Sequence, residues 1–306
     1  MDKLGDMDLL VRVIKQGGLA AAGREVGLSP ARMTARINAL EARYGVRLLN
    51  RTTRNVSLTD EGREFYKACE RILIEVEQVE LSLQSGKDNL SGPLRITSTV
   101  DLGQQHVAAV LSRFVKAHPG ITPYLHLSDG LVNLADEGFD LGIRYGLLSD
   151  SNMIARKLVS NRRVLCASPD YLQHKGKPKV PEDLHEHDCL GFIRINESLS
   201  NWYYSDKDSK RKALLIKPSR STNDGVLLRH WLLEGEGISL KSELDVHNDL
   251  KAKRLVTILD DYNLDFDAKG VSDGADLHVI YPSRHYVPKR TQCFIEVLRD
   301  YFRTFD

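Results

Sequence analysis

Apolar residues recur at helical spacing from the start of the chain. Leu4, Met7, Leu10, Val11 and Ile14 share one face of a first helix, which Gly17-Gly18 ends. Leu19, Ala22 and Val26 mark a short second helix, closed by Gly27 in a left-handed conformation. Ser29 suits an N-cap and Pro30 the first position of a third helix, predicted to about Tyr44. Its apolar stripe is Met33, Ile37 and Leu40, and its other face carries Arg32, Arg36 and Arg43. The stretch from Arg47 to Thr59 reads as two short strands around a basic, hydroxyl-rich tip of Arg51, Thr52, Thr53 and Arg54. Thr59 then caps a long helix predicted to about Gly86. Along it Phe65, Cys69, Ile72, Val76, Val79 and Leu83 form a heptad seam. Such a helix is about 40 Å long.

Beyond Ser91 the pattern alternates. Strands are expected over Leu94–Thr97, Pro123–Leu127, Leu141–Arg144 and Val164–Ala167. Helices are expected over Asp101–Ala117 and Leu131–Glu137. Residues 277–304 read as a strand and then a helix. Short strands separated by helical stretches predict a mostly parallel sheet covered on both faces.

Charge sharpens this picture. Residues 1–58 hold ten Lys/Arg against five Asp/Glu, whereas the rest holds 33 against 37. A basic head on a slightly acidic body points to a polyanion partner at the head alone. A helix, a tight turn and a second helix with a basic free face is the arrangement that reads a DNA major groove. The N-terminal half of the second helix enters it. Ser29, Ala31, Arg32, Thr34, Ala35 and Arg36 are the candidate contacts there. Arg51, Thr52, Thr53 and Arg54 are candidates for the backbone or minor groove. No apolar stretch has the length of a membrane span, and the polar start, Met1 to Asp6, is unlike a signal peptide. The four scattered cysteines read as reduced thiols of a cytoplasmic protein.

Several segments, matched in order, resemble the LysR-type transcriptional regulators. Gly18 to Gly23, Leu28-Ser29-Pro30, Ile37 to Glu41, Val46 to Arg54 and Leu58 to Gly62 carry the resemblance in the head. Gly92 to Ile96, Gly138 to Arg144 and Ala167 to Leu172 continue it downstream. It implies an α/β protein with an N-terminal winged helix-turn-helix (residues 1–60) and a long linker helix that dimerises (61–90). A two-lobed α/β effector-binding domain resembling periplasmic binding proteins follows (91–306). One lobe would span about 91–163 and 268–306, the other about 164–267. The implied partners are double-stranded DNA, a small-molecule effector, further copies of the chain as dimer or tetramer, and RNA polymerase; no cofactor is implied. Three departures stand out. Ala35 occupies a position that is often basic, and Gly23 replaces the more usual alanine. The polar stretch from Tyr262 to Asp276 is longer than the usual loop.

In open α/β sheets ligands bind where strands hand over to helices. Ser98, Thr99, Asp129, Arg144 and Asn223 occupy such positions, and Ser98, Thr99, Arg144 and Asn223 are expected to floor a cleft suited to a small carboxylate or other polar molecule. The segment from His185 to Cys189 lacks the spacing of a standard metal site and reads as structural. Trp202-Tyr203-Tyr204 reads as strand core. No phosphate loop, nucleophile elbow or paired-carboxylate signature is present, so no catalytic residue is assigned. Two rival readings are an α/β enzyme or ligand-binding protein with a DNA-tethering head, and a non-specific architectural binder. The first lacks a nucleophile or metal site, and the second would be more basic overall.

Overall fold

The computed structural model describes residues 2–51, 56–84, 90–130, 132–146, 153–194, 197–205, 211–266, 275–282 and 287–305. The chain divides into two compact units, Met1–Asn89 and Leu90–Asp306.

The first unit begins with α1 (Lys3–Lys15), whose N-cap Asp2 accepts a hydrogen bond from the Gly5 N–H. α2 (Leu19–Glu25) follows, and Gly27, at φ +68°, turns the chain towards α3 (Pro30–Tyr44). Ser29 caps α3 through the Arg32 N–H, as its sequence position predicts. Met33, Ile37 and Leu40 are the buried residues of α3 and pack with Leu9, Leu10, Val13 and Ala22. Gly23 lies inside this helix-turn-helix. A Cβ there would stand 2.6 Å from the Leu28 carbonyl oxygen and 3.1 Å from Met33 Cγ. The departure from alanine therefore lets the turn pass close over α2.

β1 (Leu49–Arg51) and β2 (Val56–Leu58) pair antiparallel, with Leu49 opposite Leu58. The predicted tip contacts Thr52, Thr53 and Arg54 lie outside the described residues, as does the side chain of Arg51. α4 (Asp60–Gln84) starts where Thr59 Oγ1 accepts the Gly62 N–H. Its first turns pack within their own unit, which corrects the start of the predicted seam. Phe65 joins the head core and meets the Tyr44 ring at 5.0 Å, Cys69 is fully buried, and Glu70 pairs with Lys15 at 3.1 Å. Ile72 is exposed and Val76 half-buried; the side chains of Val79 and Leu83 lie outside the described residues.

In the second unit β3 (Ser91–Ser98) leads into α5 (Val100–Leu102). A π turn (Gly103–Val107) carries this helix on into α6 (Ala108–Ala117). A Cβ at Gly103 would meet the Leu127 side chain at 2.2 Å, so the helix lies directly against β4 (Gly120–Leu127). α7 (Leu134–Glu137) is shorter than predicted because Asn133 caps it, and Leu131 is outside the described residues. β5 (Leu141–Tyr145) and β6 (Met153–Val159) complete this stretch; the sequence pattern does not announce β6.

The chain then crosses to β7 (Arg163–Ala167), α8 (Pro169–Lys175), β8 (Leu190–Arg194), β9 (Glu197–Ser198), β10 (Asn201–Ser205), β11 (Arg211–Leu215) and β12 (Arg220–Thr222). Next come α9 (Gly225–Leu233), β13 (Ser239–Ser242), α10 (Glu243–Lys251) and β14 (Val256–Thr257). It returns through β15 (Leu277–Pro282) to α11 (Lys289–Phe302).

The larger sheet runs β4-β3-β5-β15-β6 and corrects the expectation of a mostly parallel arrangement. β3 pairs parallel with β4 and β5, but the returning β15 runs antiparallel to β5 and β6. The other lobe is built mainly from antiparallel pairs, β13-β7-β14, β8-β9 and the hairpin β10-β11, with β12 parallel to β8. Trp202 and Tyr204 are buried in its core, as the strand reading predicts. In the His185–Cys189 segment, the Tyr171 hydroxyl bonds His187 Nδ1 and accepts the Asp188 N–H, and Cys189 is buried. Among the described residues, no group of three or more His, Cys, Asp and Glu side chains converges as metal ligands. Also among them, no helix is long and apolar enough to cross a membrane.

Candidate DNA-reading helix and effector cleft

Three faces of α3 can be told apart by what they touch. Met33, Ile37 and Leu40 are buried, whereas Ala31, Arg32, Ala35, Asn38 and Ala39 are exposed and Thr34 is half-buried. Arg36 and Arg43 are tied to α1, although the Arg36 side chain stays 38% exposed. Both guanidinium groups turn to Asp6 on α1, at 2.5 Å and 3.2 Å. Asp6 is buried, and its carboxylate is paired with these two cations. The exposed strip of α3 therefore presents small side chains beside Arg32. Small residues let a helix backbone approach a groove closely, and one long arginine can reach a base edge.

The second unit contains a cleft enclosing about 600 Å³ of empty space, part of it open to solvent. Of the five residues predicted for it, Thr99 and Asp129 line it, and Ser98, Arg144 and Asn223 do not. Ser98 is fully buried and Asn223 is exposed to solvent. Arg144 serves the sheet: Nη1 donates to the Ser128 carbonyl at 2.7 Å and Nη2 to Thr97 Oγ1 at 2.9 Å. Its burial lowers its pKa to about 10, against the pull of Asp129.

Elements of both lobes meet in the cleft. Asp129, after β4, accepts the Val100 N–H on Oδ1 and the Gly225 N–H on Oδ2, each at 2.9 Å. Lys241 on β13 donates to Asp101 on α5 at 2.5 Å and to the Gly225 carbonyl at 3.0 Å, and stands 3.8 Å from Asp245. The Tyr145 hydroxyl donates to Asp245 at 2.6 Å. Gly225 is the pivot of this convergence. A Cβ there would come within 3.1 Å of Asp101 Oδ2 and 3.4 Å of both Asp129 Oδ2 and Lys241 Nζ. Burial raises the Asp245 pKa to about 6, although Lys241 opposes the rise. Burial also opposes the charge on Lys241, but Asp245 and Asp101 outweigh it and hold its pKa above the ordinary lysine value.

The other end of the cleft is more apolar, with Phe192, Leu199, Leu228, Leu240 and Phe266. Arg163 closes that side, bonded to Asp265 at 2.8 Å and stacked 4.8 Å over Phe266. The sequence reading passed over Asp101, Tyr145, Lys241 and Asp245. One signal existed for Lys241: it follows Ile238 and Leu240, which stand in strand alternation, and a charge in a buried strand requires partners.

Residues 4–63 match the family model of the bacterial regulatory helix-turn-helix protein, lysR family, and residues 87–303 match the LysR substrate binding domain. The chain belongs to the LysR family of transcriptional regulators. It is 35% identical over 299 residues to the HTH-type transcriptional regulator DmlR of Escherichia coli, covering 98% of this chain and 94% of the relative. It is 32% identical over 294 residues to the HTH-type transcriptional regulator CrgA of Neisseria meningitidis, covering 96% of this chain and 95% of that one. The solved structure of CrgA aligns with a TM-score of 0.63 at 29% identity over 99% of both chains. The full-length virulence activator AphB of Vibrio cholerae aligns at 0.61, with 26% identity over 98% of this chain and all of that one. As a family member, the chain is a DNA-binding transcriptional regulator with an effector-binding domain.

Proposed function

We propose that this LysR-family regulator reads its operator with the exposed N-terminal half of α3. Ser29, Ala31, Arg32, Thr34 and Ala35 face the major groove, and Arg32 is the principal base-reading side chain. The observation that carries this is the division of labour among the arginines: Asp6 holds Arg36 and Arg43, and Arg32 stands on the exposed strip. Arg51, Thr52, Thr53 and Arg54 of the wing contact the DNA backbone or minor groove, as their sequence favours. Two chains dimerise through the part of α4 from Ile72 onward, supported by the exposure of Ile72 beyond the turns that pack on the head. Pairs of dimers forming a tetramer, recruitment of RNA polymerase, a cytoplasmic location and the absence of enzymatic activity complete the reading. The boundaries proposed are residues 1–60 for the DNA-binding head, 61–90 for the linker and 91–306 for the effector domain.

The cleft bordered by Thr99 and Asp129 is the effector site of this reading. It is supported by the meeting of two lobes there and by Thr99 Oγ1, which is buried without a hydrogen-bond partner. A ligand can shift DNA binding only through different affinities for two arrangements of the oligomer. The test is a metabolite screen by footprinting on the upstream region of the protein's own gene, repeated with Thr99→Val. The variant keeps the side-chain volume and loses the hydroxyl. It should bind DNA normally and respond less to the hit; an unchanged response would move the effector site elsewhere.

A further inference from the structure

An acidic effector would be expected to use the two helix starts that face the cleft. The first N–H groups of a helix have no carbonyl partner within it, and its N-terminus favours negative charge. Val100 begins the helix that continues through the π turn to Ala117, and Gly225 begins α9. Both N–H groups, one from each lobe, are already taken by the two oxygens of a single side chain, Asp129. The close packing around Gly225 leaves little room for a second carboxylate beside the first.

Of the other charges lining the cleft, Lys241 and Arg163 are also matched within the chain, and Arg194 lines it with an exposed side chain. Lys241 is shared by Asp101, Asp245 and the Gly225 carbonyl, and Arg163 is held by Asp265. Tyr145 donates to Asp245, and Ser242 Oγ accepts the Asn161 side-chain amide at 3.0 Å. Thr99 Oγ1, by contrast, is buried and has no partner. An anionic ligand entering this end would have to separate a buried ion pair or meet three aspartates, and either costs affinity.

We propose that Asp129 is a resident carboxylate filling the anion seat of this cleft, so that the chain rejects small carboxylates and takes a ligand without one. The ligand offers one hydrogen-bonding group to Thr99 and an apolar body to Phe192, Leu199, Leu228 and Phe266. This deepens the reading of the cleft as the effector site and rests on it. It also replaces the carboxylate expected from sequence: the seat exists, and the protein occupies it.

Acetate and acetamide have nearly the same shape and differ in charge, which makes them suitable probes. Thermal unfolding of the full-length chain is followed with each, at matched ionic strength, for wild type and Asp129→Ala. The variant empties the seat. Acetate should then raise its Tm saturably, with an apparent affinity about tenfold above that of acetamide. Wild type should show no preference for acetate. Acetate-specific stabilisation of wild type, or no acetate preference in Asp129→Ala, overturns the proposal. Asp129→Ser, which frees most of the same space, carries the comparison if Asp129→Ala does not fold, and the wild-type arm needs no variant. Failure of the acetate arms alongside a lost effector response in Thr99→Val would refute the resident carboxylate and keep the effector site. The reverse pattern would keep the seat and move the effector elsewhere.

Discussion

Asp6 holds two arginines of the recognition helix, so one carboxylate orients the helix against α1 and fixes which basic side chains remain on the open face. Asp6→Ala should leave Arg36 and Arg43 without their anion. The expected loss, read by urea unfolding, is roughly 1–2 kcal/mol, because Arg36 is partly exposed and water screens its share. A midpoint equal to wild type would show that the pairs contribute nothing. Gly23 reverses an expectation drawn from helix propensity alone. By propensity alanine is better than glycine inside a helix by up to about 1 kcal/mol, but a Cβ at this position would press on the Leu28 carbonyl. Gly23→Ala should therefore destabilise the protein, by about 1–3 kcal/mol; a gain in Tm would mean that the turn yields freely. In the head the apolar stripes, the Ser29 cap and the Gly27 turn were legible because each depends on neighbours close in sequence. The Asp6 pairs were not, since they join residues 30 and 37 positions apart.

At the scale of elements, the heptad pattern along α4 begins on residues that serve the head itself. Phe65 and Cys69 answer to the head core and to burial in their own unit, and Ile72 is the first residue of the pattern left exposed. A repeat of apolar residues records that a face is covered and leaves open what covers it. Val76→Asp places a charge on the later part of the seam. It should lower the dimer fraction in light scattering and weaken operator binding together, without a change in the melting of the head. A full-sized oligomer in this variant would exclude α4 as the interface. The sheet was less legible than the helices for a related reason. β15 lies more than a hundred residues from β5, and its antiparallel entry between β5 and β6 follows from the chain's return, which no local period encodes. The cleft followed the same rule: Thr99 and Asp129 were found by their place at strand ends, whereas Lys241 and Asp245 come from the other lobe.

For the whole molecule, the buried cluster in the cleft ties stability to pH. Asp245 faces Lys241, Asp101, Tyr145 and Asp129, and its pKa lies near 6 in the folded chain against an ordinary 3.8. The folded state therefore holds this proton more tightly than the unfolded state. The resulting stabilisation is complete below the ordinary carboxylate pKa and is lost as pH rises through about 6. Asp245→Asn should flatten this part of the stability profile between pH 4 and 6 relative to wild type; parallel profiles would show that the carboxylate ionises normally. The chain joins a DNA-binding head to an effector-binding domain, and regulation depends on the head. Its most direct test is a footprint of the full-length protein on the region upstream of its own gene, with wild type and Arg32→Ala compared at physiological salt. An arginine bonded to a guanine edge gives about 1–3 kcal/mol of discrimination. Wild type should protect an interrupted inverted repeat, and Arg32→Ala should lose that protection while keeping its melting temperature and its salt-dependent binding to unrelated DNA. Equal protection by the two proteins would contradict the assignment of α3 and Arg32 as the reading surface.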